Sequence, residues 1–226
     1  MTLPSESDQD EQAGLAHRVA RLLRHEVGDF LQTVYSTAAI LTERLPTTLS
    51  QERRLVADLR GRAELCRFEL DAAVDLLGSP RLRSGRVDLF PLLAGVVAQA
   101  QRRYPAVTVL LEGEGGLFVN ADGQALAGAV TFLLLVLGQA ARQRVDVRLA
   151  RADSRAVCTL ERDGPAIHQE QLDWLRQPFA STHHGLFGLA LAVTRRATEP
   201  CGGLLAVLPR EDGGPSVQLS FPVMDA

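Results

Sequence analysis

The sequence predicts an α+β protein in two parts: an antiparallel helical hairpin that closes with a second copy into a dimeric four-helix bundle, and an α/β sandwich after it. Three observations lead there. Residues up to about 77 carry apolar side chains at helical spacing, a break rich in Arg, Ser, Gly and Pro follows near residue 80, and short β-forming runs then alternate with apolar helical segments.

In the first part, Leu15, Val19, Leu22, Val27, Phe30, Val34, Ala38, Leu41 and Leu45 recur at steps of three to five residues between about Gln12 and Leu45. Such steps return to one side of a helix. Pro46 ends that helix. Thr48, with Gln51 three residues later, offers a capping box for a second helix, whose stripe runs through Leu55, Leu59, Cys66, Leu70, Ala73 and Leu77 up to Gly78 and Pro80. Two such helices expose an apolar face too large for a soluble monomer, so a homodimer is expected. The domain boundaries read as a disordered tail over 1–11, the hairpin over 12–79, a linker over 80–86 and the sandwich over 87–226.

The sandwich is read from strands near Arg86–Leu89, Val107–Glu112, Leu117–Val119, Val145–Ala150, Ala156–Glu161, Leu204–Leu208 and Val217–Phe221. Between them, helices are expected near Phe90–Arg103, Asp122–Arg142, Gln169–Arg176 and Phe187–Thr198. This predicts a mixed sheet covered by helices.

Composition excludes several activities. The formal charge is -3, so the chain lacks the basic excess of a nucleic-acid-coating domain, and no nucleic-acid partner is expected. All 24 basic residues are arginine, which leaves no lysine for a Schiff base, a P-loop or a kinase-strand amine. Cys66, Cys158 and Cys201 are too widely spaced for a zinc site or a disulfide framework and read as buried free thiols, so no metal is expected. The acidic N-terminus is unlike a secretory signal, and the apolar run Ala125–Leu137 falls short of the ~20 residues of a membrane span. A cytoplasmic protein without a membrane partner is expected.

His25 lies off the apolar stripe, on a helix side shared with Arg18, Arg21, Asp29 and Gln32. A ring nitrogen of imidazole accepts a phosphoryl group near neutral pH, and Glu26 is placed to orient or deprotonate the ring. By itself an exposed His among charged neighbours is also ordinary solvated surface, as His17 is read. The segment His25-Glu26-Val27-Gly28-Asp29-Phe30-Leu31-Gln32-Thr33-Val34 nevertheless resembles the H-box of histidine kinases. The resemblance makes His25 the phosphoacceptor. In that family a polar residue one turn later aligns water for dephosphorylating the partner; here it is Asp29, a base or repulsive charge rather than an amide.

The remainder resembles the histidine-kinase ATP-binding domain, of the gyrase and heat-shock-protein-90 type. The resemblance is carried by Val87-Asp88-Leu89, the helix from Asp122, Gly164-Pro165-Ala166-Ile167, Gln177-Pro178-Phe179, Gly188-Leu189-Ala190-Leu191-Ala192-Val193 and Cys201-Gly202-Gly203. It also implies a degenerate site. Phe132 and Val136 stand in the asparagine slots that hold magnesium, and Arg162 replaces the Asp that accepts from the adenine amine. Ala166, Leu186 and Ala190 replace glycines, and Gly164, Gly185 and Gly188 then read as turn and cap glycines.

Together these resemblances imply a histidine phosphotransferase that relays phosphate between response-regulator receiver domains through His25. Arg18, Arg21, Arg24 and Gln32 would face the receiver, and no cofactor is expected. Two other readings remain: a histidine kinase with an atypical ATP site, and a non-catalytic scaffold that docks signalling proteins.

Overall fold

The computed structural model describes residues 6–77, 82–103, 107–166, 185–210 and 214–224, with the side chains of the first helix described from Val19 onward. The chain divides into two compact units, Met1–Ser79 and Pro80–Ala226.

The first unit is a helical hairpin of α1 (Glu6–Arg44) and α2 (Ser50–Leu77). Helix α1 starts six residues before the expected Gln12, so part of the stretch expected to be a disordered tail is helical. The turn after Pro46 is fastened by Arg53, whose guanidinium donates to the carbonyls of Thr42 at 3.0 Å and Leu45 at 2.7 Å. This satisfies carbonyls that the end of α1 would otherwise leave unpaired. Thr48 is not the residue before α2, since the helix begins at Ser50 and Leu49 holds that place.

Within the hairpin the buried apolar residues are Leu31 and Ala38 of α1 with Ala63, Leu65, Ala72 and Val74 of α2. Much of the apolar stripe read from the sequence lies outside the single hairpin. Leu22 is 62% exposed, Phe30 66% and Leu55 62%, and Val19, Leu41 and Leu59 are exposed as well. Each helix has two apolar faces, and a single hairpin can bury one.

The second unit opens with β1 (Gly85–Asp88), α3 (Leu89–Arg103), β2 (Thr108–Gly113) and β3 (Phe118–Ala121). It continues with α4 (Gly123–Ala140), β4 (Arg144–Ala152), β5 (Arg155–Arg162) and α5 (Gly185–Thr198). A 3-10 turn (Glu199–Cys201) leads to β6 (Leu204–Leu208) and β7 (Ser216–Pro222). The expected helix over Gln169–Arg176 and the segment Gln177-Pro178-Phe179 lie outside the described residues. Strand β1 takes in Gly85, which the sequence placed in the linker, together with Arg86 at the start of the expected strand.

Strands β1 and β3 form an antiparallel pair, and the main sheet has the order β2-β4-β5-β7-β6. The pair β2·β4 is parallel, in register Val109 with Val145, and the other neighbours are antiparallel, so the sheet is mixed. Alternation puts Val145, Val147, Leu149, Ala156, Cys158, Leu160, Val217, Leu219 and Phe221 on the buried face. Helices α3, α4 and α5 cover that face. Helix α4 has the length and apolarity of a membrane span, yet its stretch from Ala129 to Gly138 is buried within this domain as its core helix.

Of the three cysteines expected to be buried, Cys158 is buried, Cys201 is half-buried and Cys66 is exposed on α2. Burial pushes the Cys158 thiol up to about 12, which leaves it protonated and inert.

Candidate functional site

Helical geometry builds the first site. His25, Asp29 and Gln32 follow one another at four and three residues, and Arg21 precedes His25 by four, so one side of α1 presents all of them. The side chains of His25, Glu26 and Asp29 are 73%, 72% and 76% exposed. Imidazole Nδ1 lies 3.4 Å from an Asp29 carboxylate oxygen and 3.9 Å from one of Glu26. Asp29 is therefore the closer orienting group. With Nδ1 the ring nitrogen facing the carboxylates, a proton held there leaves the lone pair on Nε2, the arrangement a nucleophilic imidazole needs.

A groove of about 790 Å³ runs beside His25, lined from α1 by Arg21, Leu22, Arg24, Gly28, Asp29 and Gln32 and from α2 by Arg67, Leu70 and Asp71. Arg21, Arg24 and Gln32 are thus brought together with His25; the side chain of Arg18 lies outside the described ones. Arg24 pairs with Asp75 at 4.0 Å and Arg67 with Asp71 at 3.9 Å. Burial raises the Asp71 carboxyl against the opposing pull of Arg67 and Arg24. Sequence reasoning missed Arg67 and Asp71. The signal was present in the register of the hairpin, since residues near the end of α2 must return alongside the middle of α1.

In the second unit, Asp122 caps α4 by accepting from the backbone N–H of Gln124 and Ala125, both at 3.0 Å, and also accepts from the N–H of Arg83 at 2.7 Å. Those bonds, from Ala125 first and then Arg83, hold its carboxyl below the usual range. Phe132 and Val136 of the same helix are buried, 2% and 7% exposed. Neither has an oxygen to offer a cation.

Arg162 ends β5 and is 6% exposed. Its Nη1 donates to the carbonyls of Ala140 at 3.2 Å and Asp163 at 3.1 Å, tying the end of α4 to the end of β5. The side chain runs beneath Gly214, where an added Cβ would stand 2.5 Å from Arg162 Cγ. Gly164, at φ +107, is held between Arg162 Nη1 and the Ala140 carbonyl. Asp163 is also occupied, accepting from the N–H groups of Arg142 at 2.8 Å, Gln143 at 2.9 Å and Arg144 at 3.1 Å. Burial works against its charge, and these bonds outweigh it and lower its pKa.

The glycines divide in their roles. Gly164 is a turn glycine in the left-handed region and Gly185 opens α5, whereas Gly188 lies inside α5, a correction to its reading as a turn or cap residue. Leu186 is half-buried and Ala190 fully buried on that helix. Phe132 and Val136 are thus core side chains of α4, and Arg162 is engaged with the backbone carbonyls of Ala140 and Asp163.

Residues 123–225 match the family model described as histidine kinase-, DNA gyrase B-, and HSP90-like ATPase. Solved structures share the fold. A mycobacterial sensor histidine kinase, MprB, is 22% identical with a TM-score of 0.56, covering 64% of this chain and 100% of its own. The nucleotide-free catalytic domain of histidine kinase ThkA is 19% identical with a TM-score of 0.56, covering 62% of this chain and 96% of its own. Full-length ShkA in complex with AMPPNP is 19% identical with a TM-score of 0.64, and the match covers 92% of this chain but 46% of that one. The chain is accordingly a helical hairpin followed by an α/β domain of the histidine-kinase ATPase fold.

Proposed function

We propose that this protein is a histidine phosphotransferase of a two-component phosphorelay, acting as a cytoplasmic homodimer. His25 Nε2 attacks the phosphorus of a receiver's aspartyl phosphate. The N–P bond forms, the acyl O–P bond breaks, and the carboxylate is released; the reverse step delivers the group to a second receiver. Arg18, Arg21 and Arg24 steer the acidic receiver pocket toward this face, an effect that salt weakens.

One observation carries the reading. Arg162, at the adenine position, is spent on the carbonyls of Ala140 and Asp163, while His25 stands exposed with Asp29 beside it. A chain that presents a phosphoacceptor but offers nucleotide no matching groups takes its phosphate from a protein. The test is incubation with phosphorylated receiver domains, with acid-labile label expected on this chain and lost in His25→Ala.

The ATPase-type fold of residues 123–225 favours a second reading, a histidine kinase with an atypical site. Label acquired from magnesium ATP without any receiver would decide for it, and calorimetry with magnesium ATP is expected to give no heat of binding under the phosphotransferase reading.

A further inference from the structure

We propose that the groove between α1 and α2 is a phosphoryl seat in which Arg67, reaching across from α2, holds the group carried by His25. This rests on the reading of His25 as the phosphoacceptor.

A phosphoryl group adds a charge of roughly −1.5 to −2 at the ring tip. The imidazole has the carboxylates of Asp29 at 3.4 Å and Glu26 at 3.9 Å, which attract an imidazolium and repel that dianion. Cationic groups must offset them. Arg21, Arg24 and Arg67 line the groove, and Arg24 and Arg67 each have a carboxylate at ion-pair range, Asp75 at 4.0 Å and Asp71 at 3.9 Å. Arg67 is the one of the three that lines the groove from the other helix, α2, rather than from the helix that carries His25. Its guanidinium fork matches two phosphoryl oxygens.

Arg67 is also free to be recruited. Its contact with Asp71 spans 3.9 Å, beyond hydrogen-bonding length, and its side chain is 61% exposed. A dianion outcompetes the single charge of Asp71 for that fork. Asp71 then acts as a placeholder that keeps Arg67 over the groove while His25 is unphosphorylated.

The test needs no receiver. The full-length protein is incubated with phosphoramidate, whose P–N bond breaks as His25 Nε2 forms the new one and ammonia leaves. Wild type should be labelled and His25→Ala should not. Arg67→Gln should label about two- to fivefold more slowly, the span expected of an exposed ion pair, and with a flatter salt dependence. Arg67→Lys should recover part of the rate, which a merely structural role would not produce. Circular dichroism checks the hairpin, and if the Gln variant unfolds, Arg67→Met retains the aliphatic stem and is read instead. Wild type labelled at His25 with a charge-neutral variant equally fast overturns the seat and leaves the phosphoacceptor reading standing. Wild type unlabelled at His25 overturns both.

Discussion

His25 turns its Nδ1 toward the Asp29 carboxylate, 3.4 Å away and one helical turn onward, while the adjacent Glu26 stands at 3.9 Å. The i,i+4 spacing places the Asp29 oxygen beside the ring, whereas a residue at i+1 points around the helix. Asp29→Ala should therefore slow phosphotransfer from a receiver more than Glu26→Ala does, by about two- to fivefold for an exposed pair. Rapid-quench labelling of the two variants checks the order, and equal rates would remove the orienting role of Asp29.

The exposed apolar residues of the hairpin should be covered by a second copy. Val19, Leu23, Phe30 and Leu41 follow at steps of four, seven and eleven residues and so share one side of α1, with Leu22 beside them. Light scattering should give twice the 24.5 kDa chain mass, and Leu22→Glu with Phe30→Glu should return the monomer.

Gly214 and Arg162 should behave as one unit. A Cβ at 214 would stand 2.5 Å from Arg162 Cγ and 2.7 Å from Cζ, so Gly214→Ala must displace the buried arginine and should cost about 1–3 kcal/mol. Truncating Arg162 removes the obstacle. The double variant should be less destabilised than the sum of the singles, measured by urea unfolding.

Asp122 should stabilise the ATPase-type domain only above acid pH. Backbone N–H groups lower its folded pKa beneath the ordinary 3.8, so its contribution is fully present above that value and is lost as pH falls through the lower folded one. Asp122→Ala should cost about 0.5–2 kcal/mol at pH 7, and the gap from wild type should close in acid.

Much of this was legible in the chain. Pro46 marked the turn between the two helices of the hairpin, and the strands from Val145 to Phe221 fell within a residue or two of their readings, because alternation and turn residues act locally. The rotation between helices was not legible. Helical period groups Leu22 with Phe30 but does not say whether that face or the one bearing Leu31 meets α2, and Leu31 is the buried one. The same rotation determines that Arg67 joins His25. For Arg162, the type of side chain argued against adenine, but its tie to Ala140 required the fold.

Strand β6 sets a practical ceiling on how this protein can be handled. It is the outermost strand of its sheet, its five residues are all apolar, and Leu204 and Leu208 at its ends are 60% and 43% exposed. An outer strand of that kind is a template for another chain's backbone. Gly203 before it and Pro209 after it keep the template short, so self-association through this edge should grow with concentration and storage time rather than appear at once. Lysine placed at Ala206, an exposed position of that strand, would raise that ceiling.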